Sequence, residues 1–235
     1  MISCKVCNAE NDEFATVCRN CKSFIQNRIT NLDFFDTVWK VIESPRKAFH
    51  DITLAQHKNY SLLLFSFFGV ALSLTGFWYF RLGPRFDSLL NLLGEATLIG
   101  VGLGIVASAL FTFVFHWTAR AFGGKGTLQD SLGTLAYSTT PVSISLFLIL
   151  PVELLTFGMY LFTSNPDPYS IKPTSFVALV AFDALMGLWS FILFVVGGTV
   201  SKQISPLKSL ISALVTSAIC LGALFSIAKE LVHYV

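Results

Sequence analysis

Charge is scarce in this chain: Asp, Glu, Lys and Arg make up 13% of its residues, against roughly 25% in an average soluble domain. The formal net charge of +2 is small, and no run of basic residues gathers it on one face, so nucleic acid is not expected as a partner. Catalytic motifs are also missing. There is no H-E-x-x-H, no G-x-S-x-G and no close His–acid grouping that loops could assemble, and without them neither an activated water nor a nucleophile is assembled. An enzyme is not expected. Cysteine is confined to five positions, four near the start and one, Cys220, inside an apolar run where it suits packing. The opening residues are polar and the first apolar block begins only near Tyr60, so the N-terminus reads as a domain and not as a targeting signal.

Apolar residues are abundant instead, 54% of the 235. They gather into Tyr60–Phe80, Ala96–Trp117, Pro141–Phe162, Thr174–Val200 and Leu207–Ile227, each near or above the roughly 20 residues that cross a bilayer. The expected fold is an all-α integral membrane bundle of five transmembrane helices with a broken third span, plus a small N-terminal zinc ribbon. The expected domains are residues 1–27 for the ribbon, 28–58 for amphipathic helices leading into the membrane, and 59–235 for the five-span part.

The stretch Gly123–Phe162 organises the rest. From Ser131 to Phe162 a continuous helix would run roughly 48 Å, against a hydrocarbon core of roughly 30 Å. Pro141 and Pro151 lack a backbone N–H, and Ser138, Thr139, Thr140 and Ser143 offer hydroxyls to freed carbonyls. The pattern predicts a short helix over Leu128–Ser138, a break at Thr139-Thr140, a crossing helix from Pro141 and a second break at Pro151. Gly123-Gly-Lys-Gly-Thr127 lacks the strand-to-helix setting of a phosphate cradle and reads as a turn.

Cys4-x-x-Cys7 and Cys18-x-x-Cys21 are two knuckles, a spacing that presents four thiolates at tetrahedral corners. A segment so short cannot fold on buried apolar area, so bound metal would supply most of its folding free energy. Structural zinc is the expected cofactor; an iron centre and a disulfide pair are the competitors. Residues Ser3–Ile25 resemble the zinc-ribbon modules at the ends of many bacterial and archaeal membrane proteins, which implies an interaction or regulatory module.

Beyond the knuckles, Phe35, Val38, Trp39 and Ile42 share one helical face while Asp36, Lys40 and Glu43 occupy another. That face suits either a lipid surface or the protein's own spans. Ser44-Pro45 then starts a second helix, serine at the N-cap and proline at the first position. Gly69, Ser73 and Gly76 form a small-residue stripe, and Gly100-Val-Gly102-Leu-Gly104 contains a G-x-x-x-G suited to close helix packing.

With the N-terminus inside, Lys5, Arg19, Lys22, Arg28, Lys40, Arg46, Lys47, Lys58, Arg120, Lys125, Lys202 and Lys208 are cytoplasmic, and only Arg81, Arg85, Lys172 and Lys229 are outside. This obeys the positive-inside bias. Five crossings then put Val235 outside and the cysteines in a reducing compartment, which disfavours disulfides. Ser164–Ser170 reads as a Pro-rich external loop without a fold of its own.

The segments FFDTVWKVIESPRKAFHDI (34–52) and GGKGTLQDSLGTLAYSTTPVSI (123–144) resemble those of prokaryotic Yip1-domain proteins, the first through Ser44–Phe49 and the second through its Gly-rich turn, Tyr137 and Pro141. The resemblance runs from about Asn31 to the C-terminus. It implies a five-span protein of the cell's inner (plasma) membrane with a cytoplasmic N-terminus. Eukaryotic relatives are similar to vesicle-traffic factors that associate with small GTPases and with one another, a role that does not carry over to this chain. The expected partners are membrane lipids, a cytoplasmic or membrane protein, and further copies of the chain.

Asp183 lies well inside the fourth span and Glu153 follows Pro151. An acid in hydrocarbon must be protonated, paired or beside water. Asp183 is expected to bond a hydroxyl of Ser138–Thr140. Glu95 and His116, near span ends where water reaches, are assigned no role. Two functions follow: a membrane scaffold or adaptor whose zinc ribbon contacts a partner, or a transporter or channel using the broken third span and Asp183.

Overall fold

The structure, a computed structural model, describes residues 1–27 and 29–234, the side chains of 231–234 excepted. Arg28 and Val235, which the sequence reading assigns to opposite sides of a membrane, lie outside the described residues. The chain opens with a short antiparallel hairpin, β1 (Ile2–Ser3) against β2 (Glu10–Asn11). Helices α1 (Phe34–Glu43) and α2 (Pro45–Leu54) follow, then α3 (Ser61–Tyr79) and α4 (Leu89–Ala121). After these come α5 (Leu128–Ser138), α6 (Thr140–Phe157), α7 (Pro168–Ile171), α8 (Pro173–Lys202) and α9 (Pro206–Tyr234). Among the described residues, five stretches are long and apolar enough to cross a membrane: α3, α4, the α5–α6 pair, α8 and α9. The chain is an all-α membrane bundle.

The third span breaks at one residue. Thr139 ends α5 and precedes α6, and Pro141 lies in the first turn of α6, where its missing N–H costs nothing. Ser138, Thr139 and Thr140 each donate a hydroxyl bond of 2.7 Å to a carbonyl three residues back, on Leu135, Ala136 and Tyr137. No break occurs at Pro151, contrary to expectation: α6 runs through it to Phe157 before tightening into a 3-10 turn at Gly158–Phe162. A membrane helix tolerates one interior proline where the rest of its ladder holds.

Helices α3 and α4 meet backbone to backbone. A Cβ built on Gly69 would collide with the Gly100 carbonyl and the Gly104 backbone, and one on Gly104 with the Phe65 carbonyl. The small-residue stripe and the G-x-x-x-G are thus the two halves of one contact. Gly76 and Gly102 take no part, since a Cβ on either meets nothing within 4 Å.

Before the first span, α1 and α2 cover one end of the bundle. Pro45 opens α2 as expected, although the Ser44 side chain makes no cap bond. Ala48 and Phe49 are fully buried, and Phe49 seats at Gly197 of α8, where a Cβ would come within 2.8 Å of its ring and of Thr134. Glycine makes room for the aromatic ring. The face of α1 that packs inward carries Thr37 and Val41; Phe35, Trp39 and Ile42 point outward, Phe35 80% and Trp39 66% exposed. Val38 of the expected face is half-buried, so the face is turned outward at Phe35, Trp39 and Ile42 only.

The two ends are held by different bonds. At one, Lys58 pairs with Asp130 at 3.2 Å and donates to the last carbonyls of α2. At the other, Arg81 pairs with Asp167 at 3.1 Å and donates to the carbonyls of Leu161 and Thr163. The loop expected to be structureless contains the one-turn helix α7, which packs on α8.

Candidate functional site

The four N-terminal cysteines converge. Their Sγ atoms all lie within 4.8 Å of one another, with Cys4–Cys21 and Cys7–Cys18 at 3.6 Å. Four sulfurs about 2.3 Å from a central ion would be spaced by about 3.8 Å, whereas a disulfide requires about 2.05 Å. The donor set fits a closed tetrahedral metal site. The two knuckles repeat one local geometry: Asn8 and Lys22, each just after its second cysteine, take positive φ (54° and 59°) and donate their amides to the carbonyls of Cys4 and Cys18. The amides of Val6 and Asn20 point at the Sγ atoms of Cys4 and Cys18, both at 3.4 Å.

These donors favour thiolate. The Ser23 hydroxyl, then the backbone amides, hold the Cys4 thiol down to about 6, and the Cys21 amide leads those that lower Cys18. The Ala9 amide pulls the Cys7 thiol down, but Cys21, burial, Cys18 and Cys4 together outweigh it and move it up. A bound cation would remove that competition.

The module rests on the bundle through Asp12. Its carboxylate accepts from Gln203 Nε2 at 2.8 Å and from the Phe14 amide at 3.1 Å, and lies 3.6 Å from Lys125 Nζ, while Phe14 packs tilted against His50 with ring centroids 5.2 Å apart. Partial burial opposes ionisation of Asp12, but the Phe14 amide, Gln203 and Lys125 together hold its carboxyl below the ordinary value. A depressed folded pKa gives a contribution that is complete above the unfolded value and is lost as pH falls through the folded one. Docking should therefore persist at neutral pH and weaken below about pH 4. Asp12→Ala is expected to loosen the module at pH 7 by no more than about 1 kcal/mol, since the pair is largely solvated. Faster hydrogen exchange at Cys4–Ile25 with no change in α3–α9 checks this.

Beneath the module lies a cluster that sequence reasoning missed. Lys202, 1% exposed, donates to the Thr127 carbonyl at 2.9 Å and approaches His116 Nδ1 at 3.3 Å, and His116 in turn meets Ser131 at 3.3 Å. His116 is thus enclosed and not at a wet span end. Thr127 and Asp130 form a reciprocal capping box at the start of α5, and the T-x-x-D spacing was the signal available for it. The Gly123–Thr127 stretch is a turn with positive φ at Gly123 and Gly126.

Within the span, Tyr137 is fully buried and donates its hydroxyl to the Asn59 carbonyl at 2.8 Å, tying α5 to the start of α3. Asp183 accepts from Ser145 on α6, not from Ser138, Thr139 or Thr140, whose hydroxyls are committed to their own helix. Glu153, 7% exposed, faces the same interior space as Asp183. The two acids are brought together across α6 and α8. Cys220 is buried in the core.

A multi-pass helical membrane protein with a four-cysteine module packed on one end is the class these elements define. Within it, the chain belongs to the Yip1 domain family, whose match covers residues 39–227, from the middle of α1 into α9. No curated protein and no solved structure matches the chain.

Proposed function

We propose that this protein is a non-enzymatic membrane scaffold of the Yip1 type, of prokaryotic origin, in which a cytoplasmic zinc ribbon holds a protein partner against the inner membrane. The observation that carries the reading is the module's two-sidedness. One edge, at Asp12 and Phe14, meets the bundle, while Val6, Val17 and Phe24 remain exposed, Phe24 by 65%. An apolar outer surface on a metal-sized fold suits a partner contact. Zinc is preferred over iron because short tetrathiolate knuckles usually form closed zinc sites. The exposed Phe35 and Trp39, followed along the chain by Arg46 and Lys47, suit the lipid headgroup boundary. On this reading residues 1–27 are the ribbon, 28–58 lie on the membrane surface and 59–235 cross it.

A photocrosslinker at Phe24 in native membranes tests the adaptor role: a discrete adduct, lost in Cys18→Ser, is expected, with no solute flux in proteoliposomes. Proton-driven flux that Asp183→Asn abolishes would instead favour a transporter. Orientation follows from the Lys and Arg distribution, which gathers Lys58, Lys125, Lys202 and Lys208 at the module's end. Single-cysteine labelling in intact cells should react at position 167 and not at position 27. The opposite pattern would reverse the topology.

A further inference from the structure

The outer half of α8 stands away from its neighbours. Its buried residues are confined to Leu193–Lys202, and Ala184 and Gly187 are exposed. The space left between α3, α6, α8 and α9 is a cavity of about 540 Å³, within the range of small-molecule sites. Its wall is almost wholly apolar, with aromatic surface from Phe68 and Trp78. Lys, Arg and His are absent from its described lining, whereas both carboxyls, Glu153 and Asp183, face it.

A second observation is independent of the acids. Ser190, two helical turns from Asp183 on the same side of α8, lines the cavity with an enclosed hydroxyl oxygen that has no hydrogen-bond partner. Of the other lining hydroxyls, those of Thr75, Ser138, Thr139 and Ser145 are engaged. A buried hydroxyl left without a partner is costly unless a ligand supplies one.

We propose that this cavity binds a cationic amphiphile, an apolar body bearing a single ammonium that meets the Asp183–Glu153 pair, entering from the bilayer along the exposed side of α8. The carboxyl pair supplies the counter-charge, the aromatic wall takes the apolar body, and Ser190 offers a bond to a polar group farther along it. A small hydrated metal ion would leave most of the apolar volume unfilled.

The test uses the full chain in phosphatidylcholine nanodiscs, with radiolabelled dodecylammonium as probe and empty nanodiscs as background. Saturable binding is expected that dodecanol does not displace. Asp183→Asn with Glu153→Gln should weaken it by at least about tenfold, as expected for losing a hydrogen bond to a charged group. Gly187→Leu provides the second variant, because a Cβ there meets nothing within 4 Å and the larger side chain should occupy the cavity without disturbing the fold. It should weaken binding at least as much. Equal binding in all three proteins, displacement by dodecanol, displacement by sodium ions alone, or burial of this face by a second copy of the chain would each overturn the proposal.

Discussion

Gly69→Leu should leave no folded membrane domain, whereas Gly76→Val, two turns along the same helix, should behave as wild type. At Gly69 the added atoms would strike the backbone of α4, at Gly100 and Gly104, and a backbone cannot swing aside as a side chain can. The helices would have to separate along their whole contact, taking Val70, Leu74, Leu92 and Ala96 out of the core they share. Overpacking usually costs about 1–3 kcal/mol where side chains can adjust. A rigid clash on both helices should exceed that range and consume much of the roughly 5–15 kcal/mol by which a protein is stable. Gly104→Val should fail in the same way. Gly102→Val should not, because a Cβ there meets nothing within 4 Å. Size-exclusion profiles in mild detergent separate the outcomes: aggregate for the first pair, a single symmetric peak for Gly76→Val and Gly102→Val. Equivalent profiles for all four would mean that α3 and α4 are not in backbone contact.

On the zinc-ribbon reading, a chelator should unfold the N-terminal module and spare the bundle. Apart from the two-residue pairing of β1 with β2 and the Val17–Phe24 bridge, the module has little regular structure. Its most deeply buried side chains, Cys4, Asn11 and Cys18, surround the sulfur cluster. Structural zinc contributes roughly 10–16 kcal/mol of apparent binding free energy at neutral pH in small finger peptides, far more than so short a hairpin supplies. Cys18→Ser should act like chelation, removing a ligand and the acceptor for the Asn20 and Asn11 donors. Limited proteolysis should then cut within residues 1–27 while the family-matched region, 39–227, survives. Protection that persists in the chelated protein would show that the module folds without metal.

Much of this architecture was legible because membranes impose strong local rules. The five spans follow from apolar length, and the break at Thr139 followed from Pro141 beside three hydroxyl residues that could rebond to their own helix. The glycines were visible as a pattern, but which of them touch depended on the crossing point of α3 and α4, so Gly76 and Gly102 were read alike with Gly69 and Gly104. Pro151 misled because a proline removes one rung without ending a helix held by its other bonds. Long-range pairs were hidden. Ser145 with Asp183, Lys202 with His116 and Arg81 with Asp167 each join helices or loops far apart in the chain, and their register is set by packing. Arg81 is one of the few basic residues that the charge count puts on the outer side. For Arg81 the structure supplies a reason, a carboxylate and two carbonyls on the neighbouring loop.

The metal content of the full-length chain, purified in detergent without added metal, is the most direct test of the module that the scaffold reading depends on. One zinc per chain in the wild type, and none in Cys18→Ser, is the expected result. Iron in its place, or four free thiols with no metal, would contradict it.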